Sequence, residues 1–242
     1  MVEPSIQLIP YSRLLWAMLP VLVVVWVLFR WALGGGNALY ALLRMMTQLL
    51  LVGNVLVYMF RSDSPWIVLL VLSVMVLVSS WITLRTVRSR RRALYGKALL
   101  SILIGGTTTL VLVTQAVLSL QPWYMPHYVI PLAGMIFSGV MNSVSLAAER
   151  LAAEMSKGMD YLEARRHALN ASLIPITNSL FGVGLVSLPG MMTGQILAGV
   201  SPLVAVNYQV MVMLMIFGSA GLASVSFLLL ARKDFEKCPT NQ

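Results

Sequence analysis

Long apolar runs separated by short polar segments follow one another along the whole chain. A helix needs about 20 consecutive apolar residues to cross the roughly 30 Å hydrocarbon core of a bilayer. Runs close to that length occur at 13–33, 38–60, 65–84, 98–120, 128–147, 177–199 and 208–230. The pattern predicts an all-α, polytopic transmembrane helix bundle of about seven spans. Little sequence remains for a soluble domain, so we expect residues 1–242 to form a single integral membrane domain.

The basic residues predict an orientation, because Lys and Arg in short loops stay on the cytoplasmic side. With the N-terminus outside, all but two of the 17 basic residues fall on the cytoplasmic side. The inside set is Arg30, Arg44, Arg85, Arg88, Arg90, Arg91, Arg92, Lys97, Arg150, Lys157, Arg165, Arg166, Arg232, Lys233 and Lys237, and the outside pair is Arg13 and Arg61. This asymmetry predicts an N-terminus outside, a C-terminus inside and a full crossing by 177–199. The net charge of +9 then follows from topology and attraction to anionic lipid, so we expect membrane lipid and no nucleic acid as a partner.

Residues 148–176 are the longest polar stretch, and they mix acidic and basic side chains. Their apolar positions recur at helical spacing: Leu151, Met155, Met159 and Leu162. This pattern predicts one or two cytoplasmic helices, broken near Gly158 and stopped at Pro175. Two interpretations remain open. The segment could be a membrane helix that runs past the bilayer with a solvated face, or a coupling helix that docks into a soluble partner.

Residues 187–199, SLPGMMTGQILAG, interrupt the sixth apolar run. Pro189 lacks an N–H and would free the carbonyl of Leu185, so we expect a hinge near the middle of the membrane. Gly190 and Gly194 are spaced to let a neighbouring helix approach that bend. The candidate residues of the hinge and the translocation path are Asn178, Pro189, Gly190, Met191, Met192, Gly194 and Gln195. The methionines and amides among them could equally be packing residues.

The absence of certain chemical groups from the chain disfavours several classes of function. All eight carboxylates lie outside the predicted spans: Glu3, Asp63, Glu149, Glu154, Asp160, Glu163, Asp234 and Glu236. Ion-coupled carriers keep an ionisable group in the membrane, so a self-powered carrier is disfavoured. No hydrolase, metalloprotease or nucleotide-binding motif is present, so we expect neither catalytic residues nor a resident cofactor. If ATP drives this protein, another chain must bind the ATP and its Mg²⁺. Uncharged polar residues in the spans could line a path or hydrogen-bond between helices: Gln48, Asn54, Gln115, Asn142, Asn178 and Gln195.

A specific resemblance lies at 173–225, LIPITNSLFGVGLVSLPGMMTGQILAGVSPLVAVNYQVMVMLMIFGSAGLASV. This stretch closely resembles the C-terminal third of the FetB family, the membrane permease subunits of a bacterial iron-export ABC system with plant relatives linked to aluminium tolerance. The segment IPLAGMI at 130–136 is similar to the family as well, whereas the first 120 residues match it mainly in hydropathy.

The resemblance implies a multi-pass permease of the bacterial inner membrane that works as a homodimer with a separate ABC ATPase subunit. It also implies iron or another metal cation as substrate, with the metal ligands unknown. Family members carry a glycine followed six residues later by an alanine before this core, and Gly158 and Ala164 fit that spacing. With Pro175 they form the expected ATPase-coupling set. The alternative from another class is a membrane scaffold or sensor that recruits a soluble partner through 148–176.

Overall fold

A computed structural model describes residues 10–60 and 64–236. The chain divides into two compact units, 1–62 and 63–242. In the first unit, α1 (Tyr11–Arg30) and α2 (Gly35–Phe60) contact each other and expose most of their apolar side chains. Such exposure is expected of helices of spanning length that face lipid. Several charged residues named above lie outside the described residues, namely Glu3, Arg61, Asp63 and Lys237, as does the side chain of Glu236.

The second unit contains all the other helices. It begins with α3 (Pro65–Thr83), a 3-10 turn (Arg88–Arg90), α4 (Arg91–Ile102), a π-helix (Leu103–Thr107), α5 (Thr108–Val111) and a second π-helix (Leu112–Val117). It continues with α6 (Pro126–Ser156), α7 (Tyr161–Gly182), α8 (Gly190–Leu197), α9 (Pro202–Leu230) and α10 (Arg232–Glu236). Within the described ranges, six helical stretches are long and apolar enough to cross a membrane. The predicted all-α transmembrane bundle is confirmed.

Helices α6 and α9 form the core of the second unit, and half of the most apolar window of each is buried. The π-helix at Leu103–Thr107 presses closely on α9, because a Cβ added at Gly105 would lie 2.6 Å from the backbone nitrogen of Ala223 and 2.7 Å from the carbonyl oxygen of Ser219. Ser219 and Ala223 are four residues apart, as small residues at helix interfaces often are. The glycine therefore permits a close contact between backbones that no larger residue would fit.

The predicted sixth span, 177–199, is not one helix. α7 ends at Gly182, and residues 183–189 are non-helical up to the start of α8. The predicted bend at Pro189 within a continuous helix is therefore wrong, because Leu185, whose carbonyl the proline would leave unpaired, does not lie in a helix. The amides of Val186 and Ser187 both donate to the carbonyl of Gly182, and Gly184 has φ +83°, which helical backbone excludes. The helix thus ends several residues before the proline.

Residues 161–201 nevertheless pass from one end of α9 to the other. The hydroxyl of Tyr161 donates a hydrogen bond to the carbonyl of Leu228, near the end of α9. Leu180 lines a cavity together with Val206 and Gln209, near the start of α9. α7 is therefore antiparallel to α9. One passage along the bundle is made by two helices and a break instead of a continuous span.

The hairpin between α6 and α7 confirms one predicted boundary and corrects another. The predicted break near Gly158 is confirmed, since α6 ends at Ser156 and Gly158 has φ +82°. The side chain of Asp160 then accepts a hydrogen bond from the amide of Leu162 and caps α7. The predicted stop at Pro175 is wrong, because that proline lies inside α7. Membrane helices tolerate an internal proline, which removes one backbone hydrogen bond and leaves the neighbouring turns intact.

Candidate functional site

Three segments that are far apart in sequence meet at one end of the second unit. Arg232, just after α9, lies 5.7 Å from the ring of Tyr161 at the start of α7. The side chain of Asp234 in α10 forms an ion pair with Lys97 in α4. Arg90 donates to the carbonyl of Asp234 at 3.3 Å. The basic loop, the hairpin and the C-terminal helix therefore share one end of the bundle.

Glu154 lies in the hairpin and is 2% exposed. Its carboxylate pairs with Arg150, one turn earlier in α6, at 2.5 Å and with Lys157, the residue after the end of α6, at 3.4 Å. The residues that flank Glu154 in the sequence do not predict that its side chain is buried. The burial results from the packing of α6 against α7. A buried carboxylate held between two cations fixes the last turn of α6.

The three predicted coupling residues have different surroundings. Gly158 is exposed, with no atom within 4 Å of a Cβ placed on it. Ala164 is fully buried, so it packs the hairpin and is not accessible to a second protein in this conformation. Pro175 is exposed on α7. Leu162 is 48% exposed and provides an apolar surface four residues after Gly158. Leu151, which belongs to the same set of apolar positions at helical spacing, is buried.

A cavity of about 340 Å³ lies at the other end of α7. It is lined by the end of α7, the break, α8 and α9, through Leu180, Val183, Gly184, Met192, Val206, Gln209, Val210, Met213 and Leu214. Gln209 supplies the one polar side chain of that lining. Its Oε1 is buried and has no hydrogen-bond partner among the described atoms. An unpaired buried amide costs about 1–3 kcal/mol, so this oxygen is available to a ligand.

The chemistry of this cavity is that of a weak, neutral site. Met192 and Met213 offer thioether sulfurs, which suit soft cations, while the amide oxygen of Gln209 suits harder ones. The described residues contain no group of three or more His, Cys, Asp or Glu that could hold a metal ion. The donors that line the cavity are therefore all uncharged.

The break brings some of the predicted path residues to the cavity and leaves others apart. Met192 lines it, whereas Met191 packs against the buried core. Gln195 buries an unpaired Oε1 in α8, and Pro189 occupies the position just before that helix. The remaining candidates, Asn178, Gly190 and Gly194, are exposed.

The two glycines of α8 do not receive a neighbouring helix within the described chain. No atom lies within 4 Å of a Cβ placed at Gly190 or Gly194. The close helix approach expected there is therefore not made by the described residues of one chain.

A second cavity, of about 510 Å³, lies between α9 and the stretch that contains the π-helices. It shares Val210 and Leu214 with the first cavity, so the two lie on either side of one stripe of α9. Thr108, Thr109 and Asn207 are its polar lining residues. π-helical turns in membrane helices often accompany functional sites. The sequence pattern missed them, because a π-turn preserves the apolar run.

Two of the polar residues in the spans form hydrogen bonds within their own helical stretches. Asn54 donates to the carbonyl of Leu50 in its own helix. Gln115 donates to its neighbour Thr114. Intrahelical bonding of this kind satisfies a polar side chain without a second helix.

A family model described as "Uncharacterised protein family (UPF0014)" matches residues 11–235, which include both cavities and the hairpin. The chain belongs to the UPF0014 family. A UPF0014 membrane protein of Synechocystis sp. is 40% identical over 79% of this chain and 80% of its own length.

Two relatives with functional names are similar over almost the whole UPF0014 region. The "Probable iron export permease protein FetB" of Escherichia coli is 31% identical over 82% of this chain and 81% of its own length. The protein "ALUMINUM SENSITIVE 3" of Arabidopsis thaliana is 33% identical over 83% of this chain and 77% of its own length. The resemblance to the FetB family is confirmed. No solved structure matches the chain.

Proposed function

We propose that this chain is the permease subunit of an ATP-driven exporter for iron or another metal cation, coupled to a separate ABC ATPase subunit. The observation that carries the proposal is the path of α7. This helix begins in the hairpin with an exposed apolar side chain at Leu162 and leads into the break beside the cavity. A push on the hairpin therefore acts on the wall of the cavity through one continuous helix. The name of the Escherichia coli relative supports the substrate class.

The end that carries the hairpin faces the cytoplasm in this proposal. Its basic residues belong to three segments that the structure brings together, and basic residues stay on the cytoplasmic side of a membrane. The C-terminus is then inside and the N-terminus outside, in the inner membrane of a bacterium. ATP and Mg²⁺ bind the partner, and two permease chains assemble with two ATPases.

Coupling follows from the mechanics of the hairpin. Glu154 and its two cationic partners hold the end of α6 rigid, while Gly158 forms the turn and Leu162 offers the contact surface. Closure of the ATPase pair would move α7 along its axis. Because residues 183–189 are not helical, the movement changes the shape of the cavity instead of shifting α8 and α9 as one body.

The test is ATP-driven transport in vesicles that contain the permease and the ATPase encoded beside it. We expect Fe²⁺ movement on addition of ATP, and we expect Leu162→Ala to reduce both co-purification with the ATPase and transport at least threefold. Leu70→Ala is the control, because Leu70 is also an exposed leucine (66% against 48%) and lies on α3, outside the hairpin, residues 183–201 and both cavities beside α9. A flat Fe²⁺ gradient with the ATPase bound would favour a scaffold or sensor. Transport driven by a proton gradient without ATPase would contradict the proposal outright.

A further inference from the structure

A third cavity, of about 540 Å³, lies between α6 and α7 and differs in chemistry from the two beside α9. Its lining consists of Arg150 from α6 and of Arg166, His167, Asn170, Ala171 and Ile174 from α7. The transport function proposed above gives this cavity no role. Two guanidinium groups, an imidazole and an amide face one small space, which is a lining suited to an anion.

The positive charge of the cavity is only partly balanced by protein carboxylates. Glu154 forms an ion pair with Arg150 but also pairs with Lys157, so its one negative charge is shared between them. Among the described residues no carboxylate forms an ion pair with Arg166, although Glu163 precedes it by three residues on the same helix. The guanidinium of Arg150 has five N–H donors, so its pair with Glu154 leaves donors for a second acceptor. The cavity therefore carries excess positive charge and free donors.

The position of the cavity along α7 indicates where its ligand comes from. The helix carries charged residues up to Arg166, and from 173 to 231 the sequence contains none. Arg166 lines the polar part of the cavity and Ile174 its apolar part. The cavity therefore lies at the depth where α7 passes from the aqueous phase into the hydrocarbon core of the membrane. Phosphate groups of lipids lie at that level, and basic pockets between membrane helices bind them.

We propose that this cavity binds the phosphate group of an anionic membrane lipid, with its acyl chains along the apolar surface near Ile174. Arginine binds phosphate through two parallel N–H bonds, which its planar guanidinium presents in fixed geometry. The amide of Asn170 supplies a further donor. A soluble phosphate has the same headgroup chemistry but lacks the chains that would cover the apolar part of the lining. An acidic side chain of a protein partner lacks them as well.

The experiment counts lipids bound to the purified permease, without any ATPase, by native mass spectrometry in detergent. Phosphatidylglycerol and phosphatidylcholine with identical acyl chains are titrated separately, and inorganic phosphate is the soluble competitor. Arg166→Gln removes the unpaired guanidinium. Arg165→Gln is the matched control, because it removes the same charge one position away and Arg165 does not line the cavity. Asn170→Ala tests the neutral donor, so the result does not depend on charge alone.

We expect wild type and Arg165→Gln to bind phosphatidylglycerol in preference to phosphatidylcholine, and Arg166→Gln to bind it about 5-fold more weakly, the factor that one basic residue contributes near an anionic lipid surface. Asn170→Ala should weaken it by a smaller factor. Equal losses in Arg165→Gln and Arg166→Gln, or equal binding of the two lipids, would overturn the site.

Competition by millimolar inorganic phosphate would assign the site to a soluble phosphate and overturn the lipid. Unchanged lipid binding by Arg166→Gln, together with loss of the ATPase from that variant, would assign it to a partner carboxylate. Because the lipid assay needs no ATPase, its failure would leave the coupling proposal standing.

Discussion

The two sides of α9 differ in how firmly they are packed. Toward α6 and the π-helix at Leu103–Thr107, Phe227 and Ala223 are fully buried, and Gly105 brings two backbones into contact. Toward the break, Leu185 and Val186 are 91% and 87% exposed, and Gly194 has open space beside it. A close-packed interface has few alternative arrangements, whereas an open one can change shape at small cost. The difference predicts that residues 183–201 are the movable part of the second unit and that α6 and α9 are its fixed frame.

The test with the largest expected effect compares two phenylalanines, one in the fixed frame and one near the break. Phe227 is fully buried in α9, and Phe181 is 79% exposed near the end of α7. Phe227→Ala leaves a cavity in the frame, and we expect it to lower the free energy of unfolding by about 3–5 kcal/mol. Phe181→Ala should change it by less than about 0.5 kcal/mol. Unfolding in mixed micelles with increasing SDS measures both. Equal losses would show that the region of the break is packed as firmly as the frame.

Two glycine substitutions test the same contrast at the backbone. Gly105→Ala forces α9 away from the π-helix, with an expected loss of about 1–3 kcal/mol in the free energy of unfolding. Gly194→Ala meets no atom and lies inside α8, so we expect a gain of about 0.5–1 kcal/mol from helix propensity. The thermal midpoint in detergent is measured for both variants, and we expect it to fall for Gly105→Ala and to rise for Gly194→Ala. A loss at Gly194 would indicate a neighbour that one chain does not supply, as in a homodimer.

The last turn of α6 belongs to the fixed frame through Glu154. Glu154→Gln removes the charge between Arg150 and Lys157, and we expect it to destabilise the protein by about 2 kcal/mol, as the loss of hydrogen bonds to a charged group does. Glu149→Gln is the control, because Glu149 is exposed on the same helix. The same detergent unfolding assay compares them. An unchanged midpoint for Glu154→Gln would mean that the end of α6 is held by apolar packing alone.

The sequence predicts those parts of the fold whose causes are local. The apolar runs predict the long helices because crossing a bilayer fixes their length, and Gly158 predicts the hairpin turn because its positive φ is a property of that residue. The burial of Glu154 could not be predicted, since it depends on α7, which packs against α6 from beyond the turn. The predicted helix end at Pro175 is wrong because a proline that ends a helix in water can be accommodated inside a membrane helix.

The candidate site was predicted in part. Pro189 drew attention to the interruption, but the helix ends at Gly182, where glycines and the turn they permit decide the conformation. Met192 lies at the cavity as its position suggested, while Gly190 and Gly194 face open space. Gln209 received no site role from the sequence. The available signal was a pair of amides, Asn207 and Gln209, near the start of a long apolar run, in which polar residues need a reason to be present.

The smallest expected effect concerns the proline itself. Pro189 has φ −62°, a value that alanine adopts freely, and its carbonyl accepts from the amide of Thr193 at 3.0 Å. Pro189→Ala keeps that bond and adds freedom to the unfolded chain, so we expect a loss of only about 0.5 kcal/mol. Pro175→Ala is the matched comparison. It restores a backbone hydrogen bond inside α7 and should raise the thermal midpoint by a few degrees.

Hydrogen exchange of the amides at 183–188 shows which residue causes the break. If Gly182 and Gly184 end α7, these amides exchange as fast in Pro189→Ala as in wild type, because the turn formed by their hydrogen bonds to the carbonyl of Gly182 persists. If the proline imposes the break, α7 extends toward α8 in the variant and the amides become protected. The second outcome would make the movable region a single helix interrupted by one residue, and the contrast between the two sides of α9 would then rest on Pro189 alone.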